Sequence, residues 1–196
     1  VKKLQHKFNN IHLISRPEKM GLGTAITTGF KSMTLLKNKP SHIITMDADY
    51  SHNPQDIPRL IQAARRGYDL VIGSRYFYRG RIVGSPLTRR LISRLANFMA
   101  AATVGIMVRD CTSGFRCYSK DYVKTVLPNL HSETYEIQIE TLKQARLNGF
   151  DIKEIPITFV NRKRGKSKLT IAEAQAFLTY ILRASWSRLT LPKKQL

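Results

Sequence analysis

Apolar residues fall in short runs separated by glycine, proline and polar breaks, a pattern of strands alternating with helices. Ile11–Ser15 is the first run. Gly21-Leu22-Gly23 follows, and then Ile26, Phe30 and Met33 recur at i, i+4 and i+7. The spacing predicts a strand, a glycine turn and an amphipathic helix. Pro40-Ser41 breaks the chain before Ile43-Ile44-Thr45-Met46, a buried-strand run that ends on Asp47-Ala48-Asp49. Asn53-Pro54 supplies a helix cap and an N1 proline, with Ile57, Leu60, Ile61 and Ala64 on one face. Asp69–Gly73 reads as the next strand, and Ser85-Pro86 as the cap and first residue of another helix. A helix through Leu142 and Ala145 ends at Asn148-Gly149, and alternation at Ile155, Ile157 and Phe159 predicts one further strand. A last helical stretch, Ala172 to Leu182, places Phe177, Tyr180 and Ile181 on one side. The order implies an α/β fold, a parallel sheet covered by helices with ligands at the carboxyl ends of its strands.

A length of 196 residues suits one domain, so 1–196 is read as a single unit with a basic, amphipathic tail over 170–196. The 42% hydrophobic and 9% aromatic content excludes collagen-like, low-complexity and wholly disordered classes. Charge changes the picture more: 33 Lys and Arg against 13 Asp and Glu give a net +20. A field of that sign calls for a polyanionic partner, whether nucleic acid, an anionic membrane surface or a phosphorylated substrate. Two cysteines, Cys111 and Cys117, exclude a disulfide scaffold, and no CxxC pair offers a zinc site. This usage, with no signal-peptide pattern, fits a cytosol-facing, reducing compartment. The longest apolar run, Phe98 to Val108, falls short of the roughly 18 residues that argue for a spanning helix. The chain opens on Val1 rather than Met, which suggests numbering from inside a longer protein.

Asp47 and Asp49 carry the sharpest chemical signal. They close an apolar strand, and its two-residue period puts both carboxylates on one side, where they suit Mg²⁺ or Mn²⁺. Ser51 and His52 follow in the loop, His52 as a cap or packing residue. From Arg75 to Arg94 the chain carries Arg75, Arg79, Arg81, Arg89, Arg90 and Arg94 and no acid, a basic loop feeding a basic helix. Arg89 or Arg90 shares a helix face with Ser93. Arginine forks bind phosphate, so this run is a candidate anion site beside a metal. Aromatic residues interleave with cations over Arg75–Arg81, which suits either a single-stranded nucleic acid or a membrane surface; the acidic motif favours the membrane. Asp110 either orients a ligand or is a buried acid paired with Arg109 or Arg116. Glu136 and Glu140, spaced i, i+4, either reach a ligand or metal or form a polar helix face.

The blocks ISRPEKMGLGTAITTGF, MDADYSHNP, VIGSRY, VRDCTSGFR and NRKRGKSKL, in that order, resemble dolichol-phosphate mannosyltransferases, family-two glycosyltransferases of the GT-A fold. The resemblance runs from about Ile14 to Leu182. It implies a GT-A-like, Rossmann-like, mixed but mainly parallel sheet flanked by helices. It also implies metal-dependent, inverting transfer of mannose from GDP-mannose to dolichyl or polyprenyl phosphate. By that similarity Asp47 and Asp49 hold the metal and diphosphate, with Ser51 as a further ligand and Asp49 in the catalytic set. Arg16, Gly21 and Gly23 approach the nucleotide. Arg75 and Arg89, also catalytic, bind the lipid phosphate with Ser93, and one or more of Arg162, Arg164 and Lys168 close over the nucleotide phosphates.

The family's opening strand with its P-x-Y-N-E-type turn and a second strand ending in an Asp-Asp pair have no counterpart in the sequence. The expectation is therefore an N-terminally incomplete glycosyltransferase lacking its first strands. The cytosolic face of a membrane is the expected site, the endoplasmic reticulum in a eukaryote or the plasma membrane in a prokaryote, with a possible anchoring partner subunit. A polyprenyl-phosphate glucosyltransferase and an inactive, basic RNA- or lipid-binding module are the alternatives.

Overall fold

The computed structural model describes residues 1–161 and 179–180. Over residues 1–161 six α-helices and six strands follow in the order α1 (Lys2–Gln5), α2 (Gly21–Thr34), β1 (His42–Thr45), α3 (Ile57–Ala64), β2 (Leu70–Ser74), β3 (Arg81–Val83), α4 (Leu87–Val104), β4 (Arg116–Ser119), α5 (Lys120–Val126), α6 (Ile137–Leu147), β5 (Ile152–Pro156) and β6 (Thr158–Val160). A four-stranded sheet runs in the order β1-β4-β2-β5, and β3 pairs with β6 in a small second sheet. β4 is antiparallel to both neighbours while β2 and β5 are parallel, so β1, β2 and β5 share one direction. The sheet is mixed, as the resemblance implies, and three of its four strands share one direction, but two of its three pairings are antiparallel because β4 lies between β1 and β2.

Successive β2 side chains face opposite layers, so Leu70 and Ile72 enter one core with Phe30, Tyr122, Ile139 and Leu142, while Val71 enters the other with Leu60, Phe115 and Ile157. Helices therefore cover both faces, and β2, completely buried, reads as an unbroken apolar run.

Four expectations are corrected. Ile11–Ser15 forms no strand; it finds no pairing partner among the described residues, and Leu13 and Ile14 remain exposed. The single strand expected at Ile155–Phe159 is two, β5 and β6. Pro156 ends β5, and Ile157 between them donates to Ser74 O and accepts from Arg81 N. The same bond helps seat β3 within what reads as a loop. Pro86, not Ser85, caps α4, its carbonyl accepting from Arg90 N. Nothing in the periodicity announces β4, because a fully buried Arg116 interrupts its apolar pattern. Of the predicted stretch over 172–182, only Thr179 and Tyr180 are described, both helical; the rest lies outside the described residues.

Candidate active site

The acidic loop leaves β1 at its carboxyl end. Tyr50, at φ 62°, turns the chain so that Ser51 and His52 point inward and are buried. Asp49 Oδ1 accepts from the Ser51 amide at 3.1 Å and the Ser51 hydroxyl at 2.5 Å. In this arrangement Ser51 orients Asp49. His52 Nδ1 accepts from the Asp47 amide at 3.2 Å, which requires a neutral ring. Burial pushes the His52 pKa below its ordinary value, against the pull of Asp47. The ring stacks on Phe115 at 5.1 Å and meets Phe159 edge-on at 5.4 Å, the packing role anticipated for it. Asp47 itself is half-exposed, its carboxylate open to a ligand.

Beyond Phe159 lies Arg75, whose guanidinium stands over the same ring at 5.5 Å. It follows β2, the most buried strand, and is clamped by Asp110: Nε donates to Oδ2 at 2.8 Å and Nη2 to Oδ1 at 2.6 Å. Nη2 also reaches Thr112 Oγ1 at 2.8 Å. Burial works against its charge, yet Asp110 outweighs that cost and raises the pKa of Arg75. Asp110 is thus a buried acid, as one reading had it, but its partner is Arg75 rather than Arg109 or Arg116. Arg75 Nη1 is left without a partner among the described residues. Arg75 borders a cleft shared with Tyr76, Arg89, Arg90, Ser93 and Asn161. The structure thereby brings together Arg75, Arg89 and Ser93 and adds Arg90. A larger hollow, lined by Met33, Pro40, Ile43 and Val123, contains none of the candidate residues.

The cleft borders α4, whose packing is unusual. Asn97, Ala100 and Val104 are buried, while Leu87, Leu91, Leu95 and Phe98, at i, i+4, i+8 and i+11, are each more than half exposed. Those four lie roughly opposite Ala100 around the helix. An apolar stripe thus faces outward on the side of α4 away from Arg89 and Ser93 of the cleft.

Gly21 and Gly23 are placed against the 132–133 loop. A Cβ at Gly23 would stand 2.0 Å from Ser132 O, and the Gly23 amide donates to Glu133 O at 2.8 Å. Arg16 Nη1 donates to Gly21 O and Thr24 Oγ1. Glu140 accepts from the amides of His131 and Ser132, and Glu136 from Thr134, so these two acids hold that loop rather than form a polar face or reach the acidic motif. Arg162, Arg164 and Lys168 lie outside the described residues.

A model of glycosyl transferase family 2 matches residues 1–127. The chain belongs to that family. This family 2 chain is 36% identical over 163 residues to the polyprenol monophosphomannose synthase of Mycolicibacterium smegmatis, covering 83% of the chain and 61% of that protein. It is 37% identical over 186 residues to the undecaprenyl-phosphate mannosyltransferase of Micrococcus luteus, covering 92% of the chain and 75% of that protein. It thus spans about three fifths of the length of the first of these relatives. Among solved structures, glucosyl-3-phosphoglycerate synthase from Mycobacterium tuberculosis in complex with phosphoglyceric acid superposes with a TM-score of 0.58 at 18% identity, over 93% of the chain and 58% of that structure. The same enzyme with Mn²⁺, UDP and glucosyl-3-phosphoglycerate gives a TM-score of 0.57 at 17% identity, over 93% of the chain and 58% of that structure. At such identities the likeness speaks for fold alone, and the fold is GT-A-like.

Sequence reasoning overlooked the residues that support this site. Glu154 accepts from the amides of Arg109 and Asp110, and Asn97 Oδ1 from Thr112, fixing the turn that presents Asp110 to Arg75. Arg116 is spent on Ser113 O, Gln138 O, Cys111 O and Thr141 Oγ1. A charged residue inside an otherwise apolar run was the available signal for Arg116; Glu154 and Asn97 had none, since only the fold brings them to the turn.

Proposed function

We propose that the chain transfers mannose from GDP-mannose to dolichyl or another polyprenyl phosphate, with inversion to the β-linked lipid-phosphate mannose. The observation that carries this reading is adjacency: Phe159 packs against His52 of the carboxylate loop and against Arg75, which lines the arginine-rich cleft. The headgroup of a lipid phosphate suits that cleft, and the outward apolar stripe of α4 offers a separate surface to a membrane. The names of the two relatives support mannose and a polyprenyl phosphate, and the motif resemblance supplies GDP.

Asp47 and Asp49 fit a hard divalent cation, Mg²⁺ or Mn²⁺. Two carboxylates leave the ion's other coordination positions to phosphate oxygens and water. When bound, such an ion offsets charge on the departing diphosphate. The acceptor phosphate is anionic near neutral pH, its second pKa being roughly 6, so no side chain need remove its proton. Arg75, rigid in its Asp110 clamp, presents Nη1 to that phosphate; Arg89, Arg90 and Ser93 complete the cradle, and positioning with fixed charge lowers the barrier. Ser51 holds Asp49 in place. Arg16, beside the Gly21–Gly23 segment, is assigned to the nucleotide, and Arg162, Arg164 and Lys168 to closing over its phosphates. The reaction is placed at the cytosolic face of a membrane, on anionic lipid or with an anchoring subunit; no described helix is long and apolar enough to cross it.

The test is transfer of labelled mannose from GDP-mannose, with UDP-glucose in parallel, to a polyprenyl phosphate with and without Mn²⁺. Metal-dependent formation of mannosyl lipid, abolished by Asp49→Asn, is expected. Full metal-dependent activity in that variant overturns the metal assignment, and use of UDP-glucose instead makes the chain a glucosyltransferase. Salt-sensitive RNA binding that donor does not affect identifies a binding module.

A further inference from the structure

One buried amide is unused by the site so far described. Gln138 lies in the first turn of α6 and is 2% exposed, yet neither Nε2 nor Oε1 has a hydrogen-bond partner among the described residues. Its backbone is firmly held: its carbonyl accepts from Arg116 Nη1 at 2.8 Å and Thr141 Oγ1 at 3.0 Å, and its amide donates to Tyr135 O at 3.2 Å. An amide fixed in a core without partners costs stability that an apolar residue of the same shape would not. Such a residue calls for a purpose outside the unliganded fold.

Its surroundings indicate that purpose. A Cβ at Gly114 would stand 3.7 Å from Gln138 Nε2 and 3.7 Å from Asp47 Oδ1. The missing side chain of Gly114 thus leaves a gap the size of a single carbon or hydroxyl, with the amide on one side and a metal-suited carboxylate on the other. Gly114 is itself anchored, its carbonyl accepting from Thr45 Oγ1 at 2.8 Å. The chemistry of the two free atoms selects the ligand. A phosphate only accepts and would satisfy Nε2 alone, whereas a hydroxyl-bearing ring both donates and accepts and can satisfy Nε2 and Oε1 together. The transferred hexose is bonded to the diphosphate that Asp47 and Asp49 are assigned to hold, so it lies within a few bonds of this gap.

We infer that Gln138 binds the transferred hexose, its amide taking sugar hydroxyls in the gap over Gly114 beside Asp47. The inference rests on the function proposed above in taking a nucleotide sugar as the ligand. Gln138 supplies orientation without basicity, in keeping with an acceptor that has no proton to lose.

The experiment compares calorimetric affinities of the chain for its nucleotide sugar, whichever of GDP-mannose and UDP-glucose it binds, and for the matching nucleoside diphosphate, at one Mn²⁺ concentration. Melting of the unliganded chain is recorded alongside. In Gln138→Met the preference for nucleotide sugar over nucleoside diphosphate should fall about tenfold, the worth of one or two buried hydrogen bonds, while diphosphate affinity and unliganded Tm are maintained or Tm rises. Gly114→Ala, whose new methyl makes only ordinary contacts, should lose the same preference and remain folded. A lowered Tm with an unchanged preference in Gln138→Met shows a structural amide and overturns the inference, as does a wild-type chain with no preference for the sugar. A wild-type chain that keeps the preference, loses it in both variants and transfers nothing to polyprenyl phosphate supports the role of Gln138 and overturns the proposed acceptor.

Discussion

Arg75 is held rigid by a carboxylate that also cancels its charge, so the pair orients rather than simply attracts. Asp110 is fully buried and Arg75 nearly so, which makes either alone an uncompensated buried charge. Asp110→Asn should destabilise the chain by about 3 kcal/mol, read from the urea midpoint, because the guanidinium loses its bidentate partner. Acceptor phosphate should bind more weakly through the same loss of orientation. The cysteines are a second test at this scale. Burial pushes the Cys111 thiol up to about 12 and the Cys117 thiol up to about 11. Neither should react with a disulfide reagent at pH 8 in the folded chain, and both should in denaturant. The linkage has a definite sign: thiol pKa values raised by folding stabilise the chain below the unfolded value near 8.5. That contribution is lost as pH rises towards 11 and 12, so an alkaline titration of the urea midpoint should fall across this window.

Within α2, two glycines separate conformational freedom from close approach. A Cβ at Gly29 would meet nothing within 4 Å, whereas one at Gly23 would collide with the Ser132 carbonyl. Gly29→Ala should therefore stabilise by about 0.5–1 kcal/mol, while Gly23→Ala destabilises because backbone cannot yield as a side-chain tip does; denaturant midpoints of both variants check the pair. The strongest elements were legible from pattern: α2, β1, α3, β2 and α6 fall where periodicity and breaks place them. β4 was hidden because Arg116, at its head, is satisfied within the core by carbonyls of the 111–113 turn and of α6. The Ile11–Ser15 run failed for the opposite reason, since apolar residues form a strand only when another strand receives their backbone groups.

The net charge of +20 and the apolar stripe of α4 act together over the whole molecule. Flotation with anionic vesicles should show binding that weakens at high salt and falls several-fold in a Leu91→Ser, Leu95→Ser double variant, with little loss of stability because both side chains are exposed. Vesicles of neutral lipid should bind much less. The metal-suited pair, the arginine-rich run and the family motifs were readable in the chain because each is a local cluster of residue types. Their meeting was not. Arg75 finds Asp110 across 35 positions, and Phe159 links His52 to Arg75 only after β6 pairs with β3. Local sequence determined which segments become helix or strand and which chemistry is present, because periodicity, capping and charge act over a few residues. Tertiary structure alone decided which acid clamps which arginine, which glycines are pressed against backbone and which glutamine remains unpaired, because burial and hydrogen-bond satisfaction depend on atoms remote in sequence.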